Sequence, residues 1–421
     1  MSQTDRSYDL VLWGATGFAG RLVAEYLTAQ YTASELSLAL GGRNERKLRD
    51  LQEALRDQHT GWGDIPIVLG DATDPASLRA IAEETNVVCS TVGPYTTYGT
   101  PLVEACVSAG TDYCDLTGEV NWIREMIDRY HDEAVQTGAL IVHSCGFDSI
   151  PADLGTKLVQ SYAIDHFGEP CDVVRIYFDG GRGGVSGGTL SSLSAVFEAA
   201  SRDPIAREAL TNPYSLAPAG ERFGVDSGTQ KRPRKDLLRG GWTSPSPMAV
   251  VNERVIRRTN AVLAYPWGRE FTCTEVIPTG SGPGGLLRAG ALTAGFGLFI
   301  AGMYFGPIRA LLRRYVFPNP GDGPTRDQIE EGYFTIRVLG RGTAPAGPFT
   351  VESRISADRD PGYGATAKML GEAAVCLVED RVDSPLTGGI LTPAAAIGDP
   401  LADGLRKAGL VVEVGEYHTD P

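Results

Sequence analysis

Positive charge is scarce in this sequence of 421 residues. Lys and Arg together number 38 against 52 Asp and Glu, which gives a formal net charge of −14. Because nucleic acids are polyanions, a protein with this balance repels them over most of its surface, and we expect no nucleic-acid partner. The hydrophobic fraction of 42% and the charged fraction of 21% are ordinary for a soluble folded protein and exclude a disordered one.

The sequence also lacks any C-x-x-C pair, although it contains 7 cysteines. Most of them lie in apolar runs that resemble strands, where Cys behaves as a small buried hydrophobe. The pattern predicts a reducing compartment, with no disulfide framework and no metal site. The N-terminal stretch MSQTDRSYDL has no apolar core of a secretory signal, so we expect a cytoplasmic protein.

Short apolar runs alternate with helical patterns throughout residues 1–150. The runs predict strands at Tyr8–Trp13, Leu36–Leu40, Ile65–Leu69, Val87–Val92, Tyr113–Leu116 and Ala139–His143. The patterns between them predict helices at Phe18–Gln30, Asn44–Arg56, Thr100–Ala109 and Trp122–Gln136. Strands that alternate with helices of this length indicate βαβ units. We therefore predict an α/β fold that opens with a doubly wound parallel sheet.

After residue 150 the pattern changes to that of an α+β domain with a mixed or antiparallel sheet. Strands are predicted at Asp172–Phe178, Met248–Tyr265, Phe271–Ile277, Tyr333–Leu339 and Phe349–Ile355, and a helix at Thr189–Ala200. We assign this substrate domain to residues 151–361. Residues 362–421 are expected to form C-terminal helices, at Gly364–Val378 and Ala402–Gly409, that pack back against the first domain.

One uncharged stretch breaks this soluble pattern. Residues 289–308 have the sequence AGALTAGFGLFIAGMYFGPI, flanked by Arg288 and Arg309. The length suffices for a membrane-spanning helix, but the glycine content argues against a true span. Two interpretations of this apolar insert, at about 285–315, stay open. It forms a buried hairpin or pocket wall, or it touches the inner face of the plasma membrane with its arginines at the lipid headgroups.

The motif VLWGATGFAG places three glycines between the first strand and the first helix. Gly14, Gly17 and Gly20 allow a sharp turn and a close approach of a pyrophosphate to the N–H groups at the start of the helix. Thr16 and Phe18 lie in the same loop and are further candidates for cofactor contact. At the head of a series of βα units, this glycine pattern predicts a Rossmann-type domain that binds a nicotinamide dinucleotide.

The end of the second strand, LALGGR, selects between the two dinucleotides. NAD sites commonly place an acid here for the ribose 2′-hydroxyl, whereas this sequence has Arg43. A guanidinium pairs well with the 2′-phosphate of NADP, so NADPH is favoured over NADH. Asp71, after the third strand, is expected beside the adenine. The end of the fourth strand, with Val92, Gly93, Pro94 and Tyr95, is expected at the middle and the nicotinamide half of the cofactor.

Together these segments resemble a known family, the saccharopine dehydrogenase-like oxidoreductases. Within it they are most similar to the mycobacterial trans-acting enoyl reductases and the eukaryotic saccharopine dehydrogenase-like oxidoreductase, over nearly the whole chain. The motifs that carry the resemblance are GATGFAG (14–20), TVGPY (91–95), YCDLTGE (113–119), CGFDSIPADLG (145–155), SGGTLSS (186–192) and GYGATAKMLGEAA (362–374).

The resemblance implies a Rossmann domain, a mixed-sheet domain and NADPH in the cleft between them. For the trans-acting enoyl reductases it implies reduction of a carbon–carbon double bond in a polyketide-derived lipid, alongside a synthase without its own reductase. It also implies membrane or lipid-droplet association for some members. A lipid-like small molecule is thus the expected substrate, and a homodimer is a candidate assembly.

Enoyl reduction requires that the carbonyl oxygen be polarised and that a proton reach the α-carbon. Tyr95 and its neighbour Tyr98 are candidates to donate to the carbonyl, with packing of the cleft wall as the alternative. Asp148 is a candidate acid or base, although Asp-Ser-Ile-Pro predicts a helix cap, which we favour. Lys157, about one turn into that helix, completes the catalytic candidates.

Other polar residues are less informative. His143 lies on a buried strand and has the character of a core histidine. Cys145 is a poor candidate nucleophile because no base is placed beside it. The hydroxyl-rich block at 187–192 either binds a substrate oxygen or caps its own helix, and the sequence does not decide between them.

Two other functions are compatible with these residues. An amino-acid or imine dehydrogenase of saccharopine type predicts several arginines facing the cleft, able to pair with substrate carboxylates. A non-catalytic NADP-binding protein that docks on membranes predicts tight cofactor binding without hydride transfer. The leading hypothesis is an NADPH-dependent oxidoreductase that acts on an enoyl or related lipid-linked substrate.

Overall fold

A computed structural model describes residues 6–59, 61–183, 187–315, 323–379 and 386–418. For residues 187–191 and 312–315 it describes the backbone alone. The strands are β1 (Tyr8–Trp13), β2 (Leu38–Gly42), β3 (Ile67–Leu69), β4 (Thr85–Ser90), β5 (Asp112–Asp115), β6 (Leu140–Val142), β7 (Val173–Arg182), β8 (Arg234–Lys235), β9 (Trp242–Pro245), β10 (Thr272–Gly280), β11 (Tyr333–Ala344), β12 (Gly347–Ala357), β13 (Gly389–Leu391) and β14 (Val411–Glu416).

A single π-helical turn covers Pro361–Ala365. The α-helices are α1 (Phe18–Gln30), α2 (Glu45–Gln58), α3 (Pro75–Glu84), α4 (Tyr95–Tyr98), α5 (Thr100–Ala109), α6 (Val120–Thr137), α7 (Ile150–Phe167), α8 (Gly187–Arg202), α9 (Pro204–Thr211), α10 (Ala249–Val262), α11 (Gly282–Tyr304), α12 (Gly306–Tyr315), α13 (Arg326–Glu330), α14 (Thr366–Glu379) and α15 (Pro393–Lys407).

The first sheet is parallel throughout and has the strand order β13-β6-β5-β4-β1-β2-β3. The order reverses between β1 and β4, so the loops that follow these two strands diverge and leave a crevice at the carboxyl edge of the sheet. Local signals set the helices between the strands. Asp74 caps α3 with Pro75 in its first turn, and α6 ends at Gly138 with a φ of +79°. The predicted doubly wound α/β fold is confirmed.

The second sheet is mixed, as predicted, with the order β14-β12-β11-β7-β10-β9-β8. Strands β7 and β10 run parallel, and the other neighbouring pairs are antiparallel. Helix α7 packs on this sheet through a small residue. A Cβ on Gly155 would lie 2.8 Å from the Val338 side chain, and the Ser353 hydroxyl donates to the Gly155 carbonyl at 2.9 Å. Helix α7 follows β6 of the first sheet in the chain, and this close approach packs it against the second sheet.

The prediction of a strand at Met248–Tyr265 is wrong, because this stretch contains helix α10. Its valines and its single isoleucine favour a strand in isolation. The helix is buried on nearly all sides, so no polar face appears in its sequence to reveal a period of 3.6 residues. Its polar side chains are instead bonded inside the protein. The Arg258 guanidinium, for example, donates to the carbonyls of Leu216 and Ile390.

The C-terminal segment contains strands as well as the predicted helices. Strand β13 extends the first sheet beside β6, and β14 extends the second beside β12. Helix α14 packs on α1, where the Glu372 carboxylate accepts hydrogen bonds from the hydroxyls of Tyr26 and Tyr31. Strand β13 was missed because its three residues are too few for a period-two pattern. Strand β14 has six residues and was missed because its burial does not alternate regularly.

The apolar insert does not form a buried hairpin, so that interpretation is wrong, and the wall of an apolar pocket stays a prediction. The described side chains of α11 and α12 are mostly solvent-exposed, and the most apolar 18-residue window of α11 is only 11% buried. Among the large exposed apolar side chains are Leu286, Leu287, Leu292, Leu298, Phe299, Ile300, Tyr304, Phe305, Ile308 and Leu311. By length and composition alone α11 is suited to cross a membrane. Arg309, predicted at the headgroups, is buried and donates to the Met303 carbonyl at 2.8 Å, so that prediction is wrong for it. The side chains of Arg313 and Arg314, the next arginines of the segment, lie outside the described residues.

Candidate functional site

The turn between β1 and α1 has the geometry of a dinucleotide-binding loop. Gly14 has a φ of +88°, and a Cβ on it would lie 2.6 Å from the Val92 side chain. A Cβ on Gly20 would lie 2.2 Å from the Gly14 carbonyl oxygen. Both positions therefore require glycine. Gly17 is exposed, and its amide donates to the Gly14 carbonyl at 2.9 Å, which closes the turn.

The start of α1 suits an anionic group. Gly17 is the N-cap residue, no side chain caps the first turn, and no acidic residue lies within it. The N–H groups there and the positive end of the helix dipole can thus bind a pyrophosphate. Thr16 and Phe18 are partly exposed on this loop, and the Phe18 ring packs edge-on against Tyr363 at 4.8 Å between centroids. The loop fits the phosphates of a dinucleotide.

Arg43 lies at the end of β2, on the same edge of the sheet. It is exposed, and Asn44 caps α2 by accepting from the Lys47 amide at 3.0 Å. Asp71, after β3, accepts from the amide and hydroxyl of Thr73 at 2.8 and 2.7 Å. These bonds, with a smaller contribution from the charge of Arg43, lower the pKa of Asp71. The Arg43 side chain is exposed on this edge and is therefore open to a ligand phosphate.

A buried glutamate that the sequence analysis missed holds the loop after β4. The Glu119 carboxylate, 1% exposed, accepts from the backbone amides of Tyr95 at 2.8 Å and Thr96 at 2.9 Å. It also accepts from the Thr96 hydroxyl. Residues 92–94, predicted beside the nicotinamide half of the cofactor, thus lie between the glycine loop and the backbone that Glu119 holds. The acid that ends the motif YCDLTGE was the only hint of this role in the sequence. Its partners Tyr95 and Thr96 lie more than 20 residues away, so the sequence did not reveal the contact.

The other acid of that motif pairs with the buried histidine. Asp115 Oδ2 lies 2.8 Å from His143 Nδ1, and Asp115 Oδ1 accepts from the amides of Thr117 and Ser144 at 3.0 and 3.2 Å. His143 is 2% exposed and Asp115 is fully buried. The pair links the loop after β5 to the loop after β6, and so helps to fix the conformation of the carboxyl edge of the first sheet.

Tyr95, predicted to donate to a substrate carbonyl, is turned into the protein. Its side chain is 3% exposed, its hydroxyl donates to the Ser90 carbonyl at 3.0 Å, and its ring stacks on Trp122 at 5.4 Å. Burial raises its pKa well above the ordinary value. This placement contradicts the predicted role, because the hydroxyl is already bonded and shielded. The ring of Tyr98, 39% exposed, reaches solvent instead.

Asp148 lies in the loop between β6 and α7, at the carboxyl edge of the first sheet. The sequence analysis favoured Asp148 as the cap of α7, and that prediction is wrong. Ser149 occupies the N-cap position, and its hydroxyl donates to Asn252 Oδ1 at 3.0 Å. The Asp148 side chain is partly exposed, and desolvation raises its pKa to about 6. It retains a proton to higher pH than an ordinary aspartate, as a general acid requires.

Lys157 is not placed for catalysis. It lies seven residues after Ile150, about 10 Å along the axis of α7. Its ammonium is 2.7 Å from the carboxylate of Asp399 on α15, in an ion pair at the protein surface. The predicted catalytic role is therefore wrong. The sequence could not show this, because Asp399 lies 242 residues away.

The start of α8 lies beside the loop after β4. The side chains of Gly187, Gly188, Thr189 and Ser191 lie outside the described residues, so their predicted roles are not addressed. Ser192 is described, and a Cβ on Gly93 would lie 3.6 Å from its hydroxyl oxygen. One hydroxyl of this block therefore reaches the nicotinamide side of the candidate site.

Residues 10–142 match the family model described as the saccharopine dehydrogenase NADP binding domain. The match runs from β1 to β6 and includes the glycine loop, Arg43, Asp71 and the loop after β4. An NADP-binding domain is thus supported by the same residues that the geometry brings to one edge of the sheet.

Full-length relatives extend the match to the whole chain. A Mycobacterium tuberculosis protein named provisionally as a trans-acting enoyl reductase is 41% identical, over 98% of this chain and 99% of the relative. The trans-acting enoyl reductase of Mycobacterium bovis is 38% identical, over 98% and 99%. That of Mycobacterium ulcerans is 36% identical, over 99% and 100%.

The chain belongs to the trans-acting enoyl reductase family of the saccharopine dehydrogenase-like oxidoreductases. The resemblance inferred from its motifs is confirmed, and the protein is an oxidoreductase. Among solved structures, apo saccharopine dehydrogenase (L-Glu forming) from Saccharomyces cerevisiae aligns with a TM-score of 0.53 at 13% identity, over 98% of this chain and 100% of that one. That likeness shows a shared fold.

Proposed function

We propose that this oxidoreductase uses NADPH to reduce the carbon–carbon double bond of an enoyl group on a lipid-linked substrate. The observation that carries the proposal is the similarity, over 98% of the chain, to relatives named trans-acting enoyl reductases. NADPH would supply the hydride. The first turn of α1 would bind its pyrophosphate, and Arg43 its 2′-phosphate.

In this proposal Asp148 gives the proton to the α-carbon. It is a partly exposed acid at the carboxyl edge, and its raised pKa suits proton donation near neutral pH. Residues 92–94, fixed by Glu119, shape the side of the site that faces the nicotinamide. The Ser192 hydroxyl is a candidate donor to the substrate carbonyl, since Tyr95 is turned inward.

The arginines of α10 favour this reaction over an amino-acid or imine dehydrogenase. Arg254 donates to the carbonyls of Val250, Ala209 and Leu210, and is buried. Arg257 pairs with Asp226 at 2.5 Å, and Arg258 also donates to carbonyls. Guanidinium groups bonded in this way are not available to bind the carboxylates of an amino-acid substrate.

The cofactor preference is tested by titrating the protein with NADPH and NADH while following nicotinamide fluorescence. We expect NADPH to bind at least roughly tenfold more tightly, about 1.4 kcal/mol, and Arg43→Ala to remove that difference. Arg46→Ala, also exposed, is the matched control and should retain the preference. Equal affinity for the two dinucleotides in the wild type would refute the assignment of NADPH.

The reaction is tested by NADPH oxidation in the presence of enoyl thioesters of increasing chain length. We expect Asp148→Asn to lower kcat by about 10²–10⁴-fold while the Kd for NADPH stays unchanged. Turnover of imines or amino acids with no turnover of enoyl substrates would favour the saccharopine-type alternative. Tight NADPH binding without hydride transfer to either class would favour a non-catalytic protein.

We also propose that α11 and α12 dock this cytoplasmic protein peripherally on the anionic inner face of the plasma membrane. The exposed apolar residues of the two helices form a surface that water solvates poorly. Residues 282–315 contain no Asp or Glu and four arginines, in a chain with a net charge of −14. Of these arginines Arg288 is exposed, whereas Arg309 is buried and donates to the Met303 carbonyl. Such a segment is attracted to anionic lipids, which also fits a lipid-linked substrate. Sedimentation with vesicles is the direct test.

A further inference from the structure

The segment that contains β8 gathers positive charge in a chain that is otherwise acidic. Residues 231–239, with the sequence KRPRKDLLR, contain five basic residues and one acid. The acid, Asp236, is buried, and its carboxylate accepts from the amides of Leu238 and Arg239 at 2.7 and 3.2 Å. Arg239 pairs with Asp179 at 2.6 Å. The other four basic residues form what we call the basic cluster: Lys231, Arg232, Arg234 and Lys235.

All four residues of the basic cluster are exposed, and no ion pair within the described part of the chain involves them. Arg234 and Lys235 form β8, the last strand in the order of the second sheet. Charged side chains on an edge strand deter pairing with another sheet, which explains charge on β8 itself. It does not explain Lys231 and Arg232, which lie outside the strand. Their charge is available to a partner.

The hairpin of β8 and β9 lies beside the start of α11. Lys235 is paired across the sheet with Trp242 on β9, and Trp242 with Gly280 on β10, two residues before α11 begins. Two strand spacings correspond to about 10 Å between the Cα atoms of Lys235 and Gly280. A Cβ on Gly285, in the first turn of α11, would lie 3.4 Å from the Trp242 ring. The basic cluster is therefore adjacent to the apolar helix.

Arg288 extends the positive charge onto α11 itself. It is exposed, and a nitrogen of its guanidinium would lie 2.9 Å from a Cβ on Gly280, so its side chain reaches back over the end of β10. The exposed leucines Leu286 and Leu287 come immediately before it. Positive charge and exposed apolar side chains thus lie side by side, which is the combination that binds anionic lipid surfaces.

We propose that the basic cluster binds the headgroups of anionic phospholipids and holds the membrane against the N-terminal end of α11. The inference rests on the proposed docking of α11 and α12 and deepens it, because Arg309 of that segment is buried and its charge is withdrawn from the surface. An anionic bilayer fits this surface, since it presents phosphates in a plane above an apolar layer. An acidic polypeptide would match the charges and leave the adjacent leucines in water.

Sedimentation of the apoprotein with two kinds of vesicle tests the dependence on charge. One kind mixes phosphatidylglycerol with phosphatidylcholine, and the other is phosphatidylcholine alone. The test variant combines Lys231→Gln, Arg232→Gln, Arg234→Gln and Lys235→Gln. Since attraction to an anionic surface adds up over basic residues, we expect its partition onto the mixed vesicles to fall at least about tenfold, with no change on phosphatidylcholine. An equal loss on both kinds, or no loss on either, would overturn the role of the cluster.

A matched control removes the same net charge elsewhere. It replaces with Gln two Lys and two Arg that are exposed and have no ion pair among the described residues, on α2, α3 and α15: Arg46, Lys47, Arg79 and Lys407. This variant should bind the mixed vesicles as the wild type does, and a loss equal to that of the test variant would overturn the proposal. Leu237→Ser, in the turn after β8, changes no charge and should also bind as the wild type does.

Salt dependence gives a readout that requires no variant. Raising the salt from about 0.1 M to about 1 M shortens the Debye length from about 10 to about 3 Å, so wild-type binding to the mixed vesicles should fall to that of the test variant. Binding that does not respond to salt would overturn the role of the cluster and keep docking through α11. Absence of binding to any vesicle would refute both. Binding of polyglutamate without binding of mixed vesicles would favour an acidic protein as partner and overturn the lipid proposal. These measurements involve no turnover, so the enoyl reduction stands or falls separately.

Discussion

At the scale of single residues, the turn before α1 depends on two contacts that leave no space for a side chain. The positive φ of Gly14 and the position of Gly20 over the Gly14 carbonyl both exclude a Cβ. Arg43 and Asp71 nearby are surface residues, and their identity affects the ligand more than the fold. Residue changes in this region should therefore divide into those that damage the loop and those that alter specificity.

Gly20→Ala should damage the loop. Its Cβ would lie 2.2 Å from a backbone oxygen, so the turn must shift, at a cost of about 1–3 kcal/mol in the free energy of unfolding. We expect denaturant titration to show that loss, and fluorescence titration to show loss of NADPH binding. Gly415→Ala on β14, where a Cβ meets no atom within 4 Å, is the control. Unimpaired NADPH binding by Gly20→Ala would contradict the close contact.

At the scale of secondary-structure elements, α11 is the helix whose environment is least explained by the protein itself. Two of its leucines, Leu287 and Leu298, are 75% and 76% exposed. A helix of this hydropathy would be buried in most soluble domains. The proposed lipid surface is what would cover it.

Leu287→Ser combined with Leu298→Ser should weaken binding to phosphatidylglycerol vesicles at least tenfold. Burial of each leucine contributes about 1.5–3 kcal/mol, so two losses exceed that factor. Vesicle sedimentation measures the effect. Leu237→Ser is the matched control, because Leu237 is also 76% exposed but lies outside α11 and α12. Equal vesicle binding by the wild type, the double variant and Leu237→Ser would exclude this docking surface.

Elements with a clear period were predictable, and those without one were not. Strand β1 and helices α1 and α5 have the predicted bounds, because each combines an apolar face with glycine or proline at its ends. Helix α10 was taken for a strand because burial on all sides leaves its apolar and charged residues without a visible face. Strand β13 has three residues and exists only through its pairing with β6.

At the scale of the whole molecule, several buried acids have pKa values above the ordinary range. Burial chiefly raises the pKa of Glu275 from 4.5 to about 7, and that of Asp153 from 3.8 to about 6. For an acid whose pKa is raised by folding, the folded state binds its proton more tightly than the unfolded state. Its contribution to stability is present below the unfolded pKa and is lost as pH rises through the folded value.

The melting temperature of the apoprotein should therefore fall between pH 5 and pH 8, and Glu275→Gln should flatten that fall. Each unit of raised pKa corresponds to about 1.4 kcal/mol. Thermal unfolding at a series of pH values measures this dependence. Glu53→Gln, at an exposed position on α2, should show the same dependence of melting temperature on pH as the wild type. A melting temperature that rises steadily towards pH 8 would contradict the assignment.

The sequence by itself determined the glycine loop, Arg43 beyond β2, the alternation of strands and helices, and the family. These depend on residues close together in the chain, where backbone geometry and hydrophobic period act directly. Only the tertiary structure decided that Tyr95 turns inward, that Lys157 pairs with Asp399, and that Glu119 holds the backbone after β4. Such contacts join residues far apart in the chain, and their partners are set by how the two sheets and α10 pack together.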